Sequence, residues 1–289
     1  MKDKVSNIKI YNKNQMKLLA KKIVPPFFYE LVRQIINKPK DFHPVWNTLN
    51  YEPLKGVEMF FDPNGHWQRK MVDGTYDGFL FQNLKNMDIK GKIIFDVGSH
   101  IGYHSLYFGR LVGNNGKVYS FEPYQKNFDR FNLILEKNKN LLGNISTYEI
   151  AVSDKIGTEE FNLNEDIESG RSSGNFIGRA DTFWNKEIYA RKGFRKTSVK
   201  TLPIDLFKDK LKINDLPDII KIDVEGAEYL VLLGVKKTLL EKKPILFIEI
   251  HSMLNMYNVL TFLYSLSYKV EMLNTDPNGV CFIKAEYKK

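Results

Sequence analysis

From Lys92 onward the chain alternates short apolar runs with segments of helical periodicity, and this alternation constrains the fold more than any other feature. Lys92–Val97 is an apolar run, Tyr103–Val112 is helix-like, Lys117–Phe121 is a second run, Gln125–Asn138 a second helix and Ile145–Ala151 a third run. After a polar interval come Pro217–Asp223, a helix over Glu228–Leu240, Pro244–Ile250, a helix near Val259–Leu266, and two closing runs, Tyr268–Leu273 and Val280–Lys284, around Pro277-Asn278-Gly279. Runs too short for helices, separated by 3.6-residue periodicity, build βαβ units, which stack into a parallel sheet covered on both faces. The pattern therefore predicts a doubly wound, mostly parallel α/β fold that ends in an antiparallel hairpin.

Residues 1–75 precede the pattern and read as an N-terminal extension to a domain at 76–289. Of the net charge of +9, nearly all lies here: ten lysines and arginines oppose Asp3 and Glu30 within residues 1–40. A basic segment over 14–24, Pro25-Pro26, and then Phe27, Phe28, Leu31, Val32 and Ile35 on one face predict an amphipathic helical pair. Such a face most often packs on the body of its own protein; the other use is peripheral contact with an anionic membrane through residues 1–40. The remainder is near neutral, which weighs against a nucleic-acid-binding face. No apolar run approaches the roughly 18 to 20 residues of a membrane span, and the start lacks a signal peptide's apolar centre, so a cytoplasmic protein is expected. A single cysteine, Cys281, excludes an internal disulfide and a cysteine-built zinc site.

The chemistry sits where the strands end. Phe95-Asp96-Val97-Gly98-Ser99-His100-Ile101-Gly102 joins the first strand to the first helix. Glycines there let a ligand approach the backbone, and the helix start offers free amides. An acid inside the loop repels a pyrophosphate but suits a ligand with a positive end and no phosphate, as in S-adenosylmethionine. Glu122, ending the second strand, is placed to accept both ribose hydroxyls, and Ala151-Val152-Ser153-Asp154 lies where an adenine would be met. In Ile220-Lys221-Ile222-Asp223-Val224-Glu225-Gly226 the period of two puts Lys221, Asp223 and Glu225 on one side; Phe247, Glu249 and His251 likewise share a side. Ligands bind beyond the carboxyl edge of such sheets, so Asp223, Glu225, Glu249 and His251 converge there. For Lys221 and Glu225 an internal ion-pair network is an equally good reading.

In order and spacing these segments resemble the FkbM-type family of S-adenosylmethionine-dependent methyltransferases over residues 70–285. The resemblance rests on Tyr76-Asp77, FDVGSHIGYHSLYF, YSFEP with Asn127 and Asn138, AVSD, IIKIDVEGAEYLVLLG and KPILFIEIH. It implies a Rossmann-like class I methyltransferase fold, and O-methylation of a hydroxyl on a sugar, glycan, glycolipid or natural product. It also implies cofactor contacts from Tyr76, Asp96, Gly98, Ser99, His100, Gly102, Glu122 and Ala151, with S-adenosylhomocysteine as product. The chain departs from the family pattern at Ser99-His100, where Ala-Asn is usual, and at Asp77, where Glu is usual.

On this reading His251, oriented by Glu249 or Asp223, takes the acceptor's proton. No spacing calls for a metal, and none is expected. The interval Asn162–Thr197 is long for a connection and carries Arg171, Arg179, Arg191, Lys192, Arg195 and Lys196, which predicts a lid over an anionic acceptor such as a phosphorylated or uronic sugar. Two rivals remain. A nucleic-acid methyltransferase has only the net charge behind it, and the Asn/Asp-Pro-Pro-aromatic element of amine methylators is absent after the fourth strand. A membrane-surface binding module with a degenerate methyltransferase fold rests on the basic start.

Overall fold

Each apolar run from Lys92 onward becomes a strand in a computed structural model of the chain, which describes residues 43–63, 65–163, 174–181, 195–275 and 279–288. The helical pair expected over 14–35 lies outside the described residues. Val45–Thr48 (β1) and Glu58–Phe61 (β2) pair antiparallel, and two short helices follow, His66–Asp73 (α1) and Gly78–Lys85 (α2). Leu49, Leu54, Val57, Met59, Phe61 and Met71 are buried in one cluster with Leu106, Phe108 and Phe131 of the main body. The unit therefore begins at His43, not after residue 75 as the alternation implies. These side chains have no core of their own and bury against the main body instead.

The central sheet is built from Ile93–Val97 (β3), Lys117–Phe121 (β4), Ile145–Tyr148 (β5), Ile219–Ile222 (β10), Ile245–Ile250 (β11), Tyr268–Thr275 (β12) and Cys281–Tyr287 (β13). Its order is β12-β13-β11-β10-β3-β4-β5, parallel throughout except that β13 runs antiparallel to both neighbours. The connections are Tyr103–Val112 (α3), Gln125–Lys137 (α4), Glu228–Leu233 (α6), Lys236–Lys242 (α7) and Met253–Ser265 (α8). This is the expected Rossmann-like α/β arrangement with a terminal hairpin.

Period-two alternation divides the strands between two cores. Ile94, Val118, Ile219 and Phe247 join the first cluster, while Phe95, Val97, Phe121, Ile220, Ile222, Ile248 and Ile250 join a second against α6, α7 and α8. By the same parity Asp96, Lys221 and Glu249 stand on the first face, which also carries α3.

Two segments depart from the expected pattern. The helix over Glu228–Leu240 breaks at Gly234, where a Cβ would lie 2.1 Å from the Ser153 carbonyl oxygen; the close crossing makes the chain turn between α6 and α7. The third run also divides. Ala151–Val152 (β6) leaves the main sheet and pairs with Arg195–Leu202 (β9), which continues to Gly157–Leu163 (β7) and Phe176–Ile177 (β8) in a second, four-stranded sheet. Phe161, Leu163, Phe176, Ile177 and Val199 bury together beside Ala151 and Ala227. The interval expected to be a lid thus carries a packed layer, with 164–173 and 182–194 outside the described residues. A turn of 3₁₀ helix, Ile204–Leu206, and Phe207–Leu211 (α5) lead back to β10. Among the described residues no helix is long and apolar enough to cross a membrane.

Candidate active site

The glycine loop is fixed by what lies on either side of it. Gly98, at φ 79°, passes so close to the end of β10 that a Cβ there would be 1.8 Å from the Asp223 carbonyl oxygen, and a Cβ on Gly102, at φ 88°, would be 2.1 Å from the Phe131 ring. His100 between them is also left-handed, at φ 51°. Its backbone N–H donates to Glu122 Oε2 at 2.9 Å, while Glu122 Oε1 accepts from the Tyr124 N–H at 3.0 Å and from Asn127 Nδ2 at 3.3 Å. Glu122 thus ties the loop to the end of β4. Burial pushes its carboxyl up to about 7 despite these donors.

Beneath the loop lies a buried ion network. Lys221, 1% exposed, stands 3.4 Å from Asp96 Oδ1 and 3.2 Å from Asp223 Oδ2, and donates to the Gly98 carbonyl at 3.1 Å. Burial alone would favour neutral lysine, but Asp223 and Asp96 outweigh it and hold the ammonium above its usual range. Asp96 is wholly buried and accepts from Ser105 Oγ at 2.5 Å, with Ser120 Oγ donating to Ser105 in turn.

One cavity runs along the loop. Val97, Gly98, His100, Glu122, Asn127 and Ala151 form its near wall, Phe161, Asn175 and Ile177 of the second sheet its far wall, and Asp223, Val224 and Glu225 its end. The structure therefore brings Gly98, His100, Glu122, Ala151 and Asp223 together as expected. Asp96, Ser99 and Gly102 support the loop from below and are not in the cavity wall. Asp96 cannot meet a ligand's ammonium directly, because Ser105 and Lys221 enclose it. Tyr76 is not in the wall either: it packs edge-on to Tyr103 and against His104, with Asp77, Glu249, Asp223 and Glu225 in its electrostatic field.

At the carboxyl edge Asp223, Glu225, Glu249 and His251 do converge, as the parity predicts, and Glu228 joins them. His251 Nδ1 is 2.7 Å from Glu228 Oε1; Nε2 is 3.4 Å from Glu225 Oε2, 3.8 Å from Glu249 Oε1 and 3.9 Å from Asp223 Oδ1. Burial lowers the pKa of the ring, but Glu225 and Glu228 prevail and raise it well above the usual histidine value. A raised pKa favours the protonated ring and weighs against the role of proton acceptor expected of His251, and carboxylates stand beside it at the same edge. Glu249 is pushed well up by burial and by Asp223. Glu225 is left-handed, at φ 53°, and its turn is braced on three sides. The Gly226 N–H donates to Glu228 Oε1 at 2.8 Å, and the Gly226 carbonyl accepts from the Asp181 N–H at 2.8 Å and from Asn255 Nδ2 at 2.6 Å.

Sequence reasoning missed four contributors. Glu228 lies on a helix, and only its proximity in space reveals its bond to His251. Phe161 and Ile177 come from the second sheet, although the alternation of Phe161 and Leu163 against polar neighbours is a strand signal. Asp77, left-handed at φ 47°, pairs with His104 at 3.0 Å. Two of the expected lid cations are engaged elsewhere: Arg179 Nε lies 3.0 Å from both Glu159 oxygens and its Nη2 2.6 Å from Asp154, and Lys196 pairs with Glu160 at 2.9 Å.

A family model described as the methyltransferase FkbM domain matches residues 96–270. Hexuronic acid methyltransferase AglP of Haloferax volcanii is 24% identical over 216 residues, covering 74% of this chain and 79% of that protein. Among solved structures, methyltransferase FkbM from Methylobacillus flagellatus KT superposes with a TM-score of 0.48 at 17% identity, over 69% of this chain and 45% of that one, so the match spans less than half of that protein. Aeropyrum pernix fibrillarin, solved with natively bound S-adenosyl-L-methionine, gives 0.44 at 12% identity over 87% and 86%. The matched stretch runs from the acid of the glycine loop past the histidine of the carboxyl edge, and the chain belongs to the FkbM methyltransferase family.

Proposed function

We propose that the chain is an S-adenosylmethionine-dependent O-methyltransferase whose acceptor is a sugar hydroxyl, free or within a glycan or glycolipid. The observation that carries this reading is that Asp223 and Glu225 belong both to the cavity holding Gly98 and Glu122 and to the acid cluster around His251. A nucleoside held by the first group and an acceptor held by the second would meet there.

The residues fit the cofactor. Glu122 is a buried carboxylate facing the cavity, suited to two ribose hydroxyls, and Gly98 keeps the wall clear of side chain. Ser99 Oγ is buried without a hydrogen-bond partner among the described residues, and it lies in the loop that would meet the methionine end. When bound, S-adenosylmethionine supplies a methyl group on a positively charged sulfur, an electrophile with a neutral leaving group. The protein's task is then alignment and removal of one proton. Asp223 is held by Lys221. Glu225, in the cavity wall, takes the proton that the acceptor hydroxyl gives up, and His251 positions the surrounding carboxylates. Hydroxyl donors suit an edge of carboxylate acceptors, whereas a nucleic-acid backbone would be repelled by it. The relative named for hexuronic acid supports a sugar acceptor. Arg179 and Lys196, the lid cations described above, are already paired with Glu159, Asp154 and Glu160.

Incubation with S-adenosylmethionine and a panel of neutral and uronic sugars, read by mass spectrometry as gain of one methyl group, tests the reading. Glu225→Gln is expected to slow turnover by roughly 10² to 10⁴ while cofactor affinity is kept. Undiminished turnover in that variant removes Glu225 from the role, and absence of cofactor binding in the unaltered protein removes the function itself.

A further inference from the structure

Beside the end of the cavity, three side chains at the carboxyl ends of two strands present ligand atoms to one another. Asp223, Glu249 and His251 each offer one such atom, and the three lie within 4.8 Å of one another. Ligands about 2.1 Å from an octahedral ion stand roughly 3 to 4 Å apart, so the widest pair would need to close by about 1 to 2 Å. Carboxylates alone would show only a negatively charged edge. His251 adds an independent observation. The residue is 8% exposed, and its Nδ1 is committed to Glu228 Oε1 at 2.7 Å, with Glu228 itself wholly buried and anchored to the Gly226 N–H. That bond fixes the ring so that Nε2 faces three carboxylates at 3.4, 3.8 and 3.9 Å, with a short hydrogen bond to none of them. A carboxylate holding one imidazole nitrogen so that the other points into an oxygen-lined site is the usual support of a metal-binding histidine. The formal charges agree. Asp96, Asp223, Glu225, Glu228 and Glu249 gather around one lysine and one histidine, so even with both cations charged a formal excess of three negative charges remains.

We propose that Asp223, Glu249 and His251 bind a divalent cation of the Mg²⁺ or Mn²⁺ type. Two carboxylate oxygens and one imidazole nitrogen leave positions for oxygens of the acceptor. A cation there would bind adjacent hydroxyls or a uronate carboxylate, and would provide the counter-charge that Arg179 and Lys196, already paired, do not. The use made of the cation rests on the proposed function; its binding to the protein does not.

The test is titration of Mn²⁺ alone into the cofactor-free full chain, followed by electron paramagnetic resonance. One saturable site per chain is expected, displaced by excess Mg²⁺ and weakened at least tenfold in Glu249→Gln and in His251→Gln. Glu228→Gln, which removes only the support of the ring, is expected to weaken it about tenfold. Should those variants fold poorly, pulsed measurements on the unaltered protein decide: coupling of bound Mn²⁺ to a histidine nitrogen supports the site. No saturable binding at millimolar Mn²⁺, or binding without nitrogen coupling, overturns it. Cation binding without methyl transfer would sink the proposed function and leave this site standing. Methyl transfer unaffected by chelator would keep the proposed function and overturn the use proposed for the cation.

Discussion

At Lys221 a charge is buried in the middle of a sheet because two carboxylates and the Gly98 carbonyl surround it. Removing the ammonium leaves Asp96 and Asp223 facing each other with no cation between them. Lys221→Met is therefore expected to cost about 3 to 5 kcal/mol, measured by urea unfolding. Glu122 carries a different prediction, one about pH. Its folded pKa of about 7 exceeds that of an exposed carboxylate, so ionisation opposes folding as pH rises towards 7. Ribose hydroxyls would bond to the ionised form, so cofactor affinity should fall about tenfold per pH unit below 7 and level off above it. Calorimetric titration from pH 5 to 8 checks this: Glu122→Gln should bind about 10- to 100-fold more weakly at pH 8 and lose the pH dependence. A residue's type and its place at a strand end made Glu122 and Asp223 legible in the sequence. The raised pKa of His251 was not legible, because it depends on Glu225 together with Glu228, the latter twenty-three residues earlier on a helix.

Among the elements, strand β3 and the loop after it depend on one close approach. Gly98→Ala would bring a methyl group against the Asp223 carbonyl just past β10 and would also strain a left-handed backbone. The cost should exceed about 2 kcal/mol, while Gly113→Ala, at φ 69° but with open space around it, should cost about 1 kcal/mol. Comparing the two by thermal melting separates the clash from the strain. The strands of the central sheet could be read from sequence because their apolar runs are short, regular and bounded by turns. The second sheet could not. β6 and β8 are two residues each, β9 is exposed over its first half, and the pairing of β6 with β9 closes across more than forty residues. Local pattern carries little of that information. For the same reason the far wall of the cavity was missed, while the near wall, built from the glycine loop, Glu122 and Ala151, was found.

For the whole molecule, the hairpin β1–β2 and helix α1 are part of the core. Six of their buried apolar residues would each forfeit about 1.5 to 3 kcal/mol, together as much as the entire stability of an ordinary domain. A chain starting at residue 76 should therefore fail to show a cooperative melting transition by circular dichroism. The position of Asp223, shared by the cavity and the acid cluster, has a further consequence for a methyl-transfer cycle of the proposed kind. A sulfonium beside it offsets part of the negative potential that an incoming acceptor oxygen meets, so each ligand tightens the other by the same factor. Loss of the methyl group turns that sulfur neutral and cancels the cooperativity, so turnover itself loosens the hold on both products and sets the direction of their release.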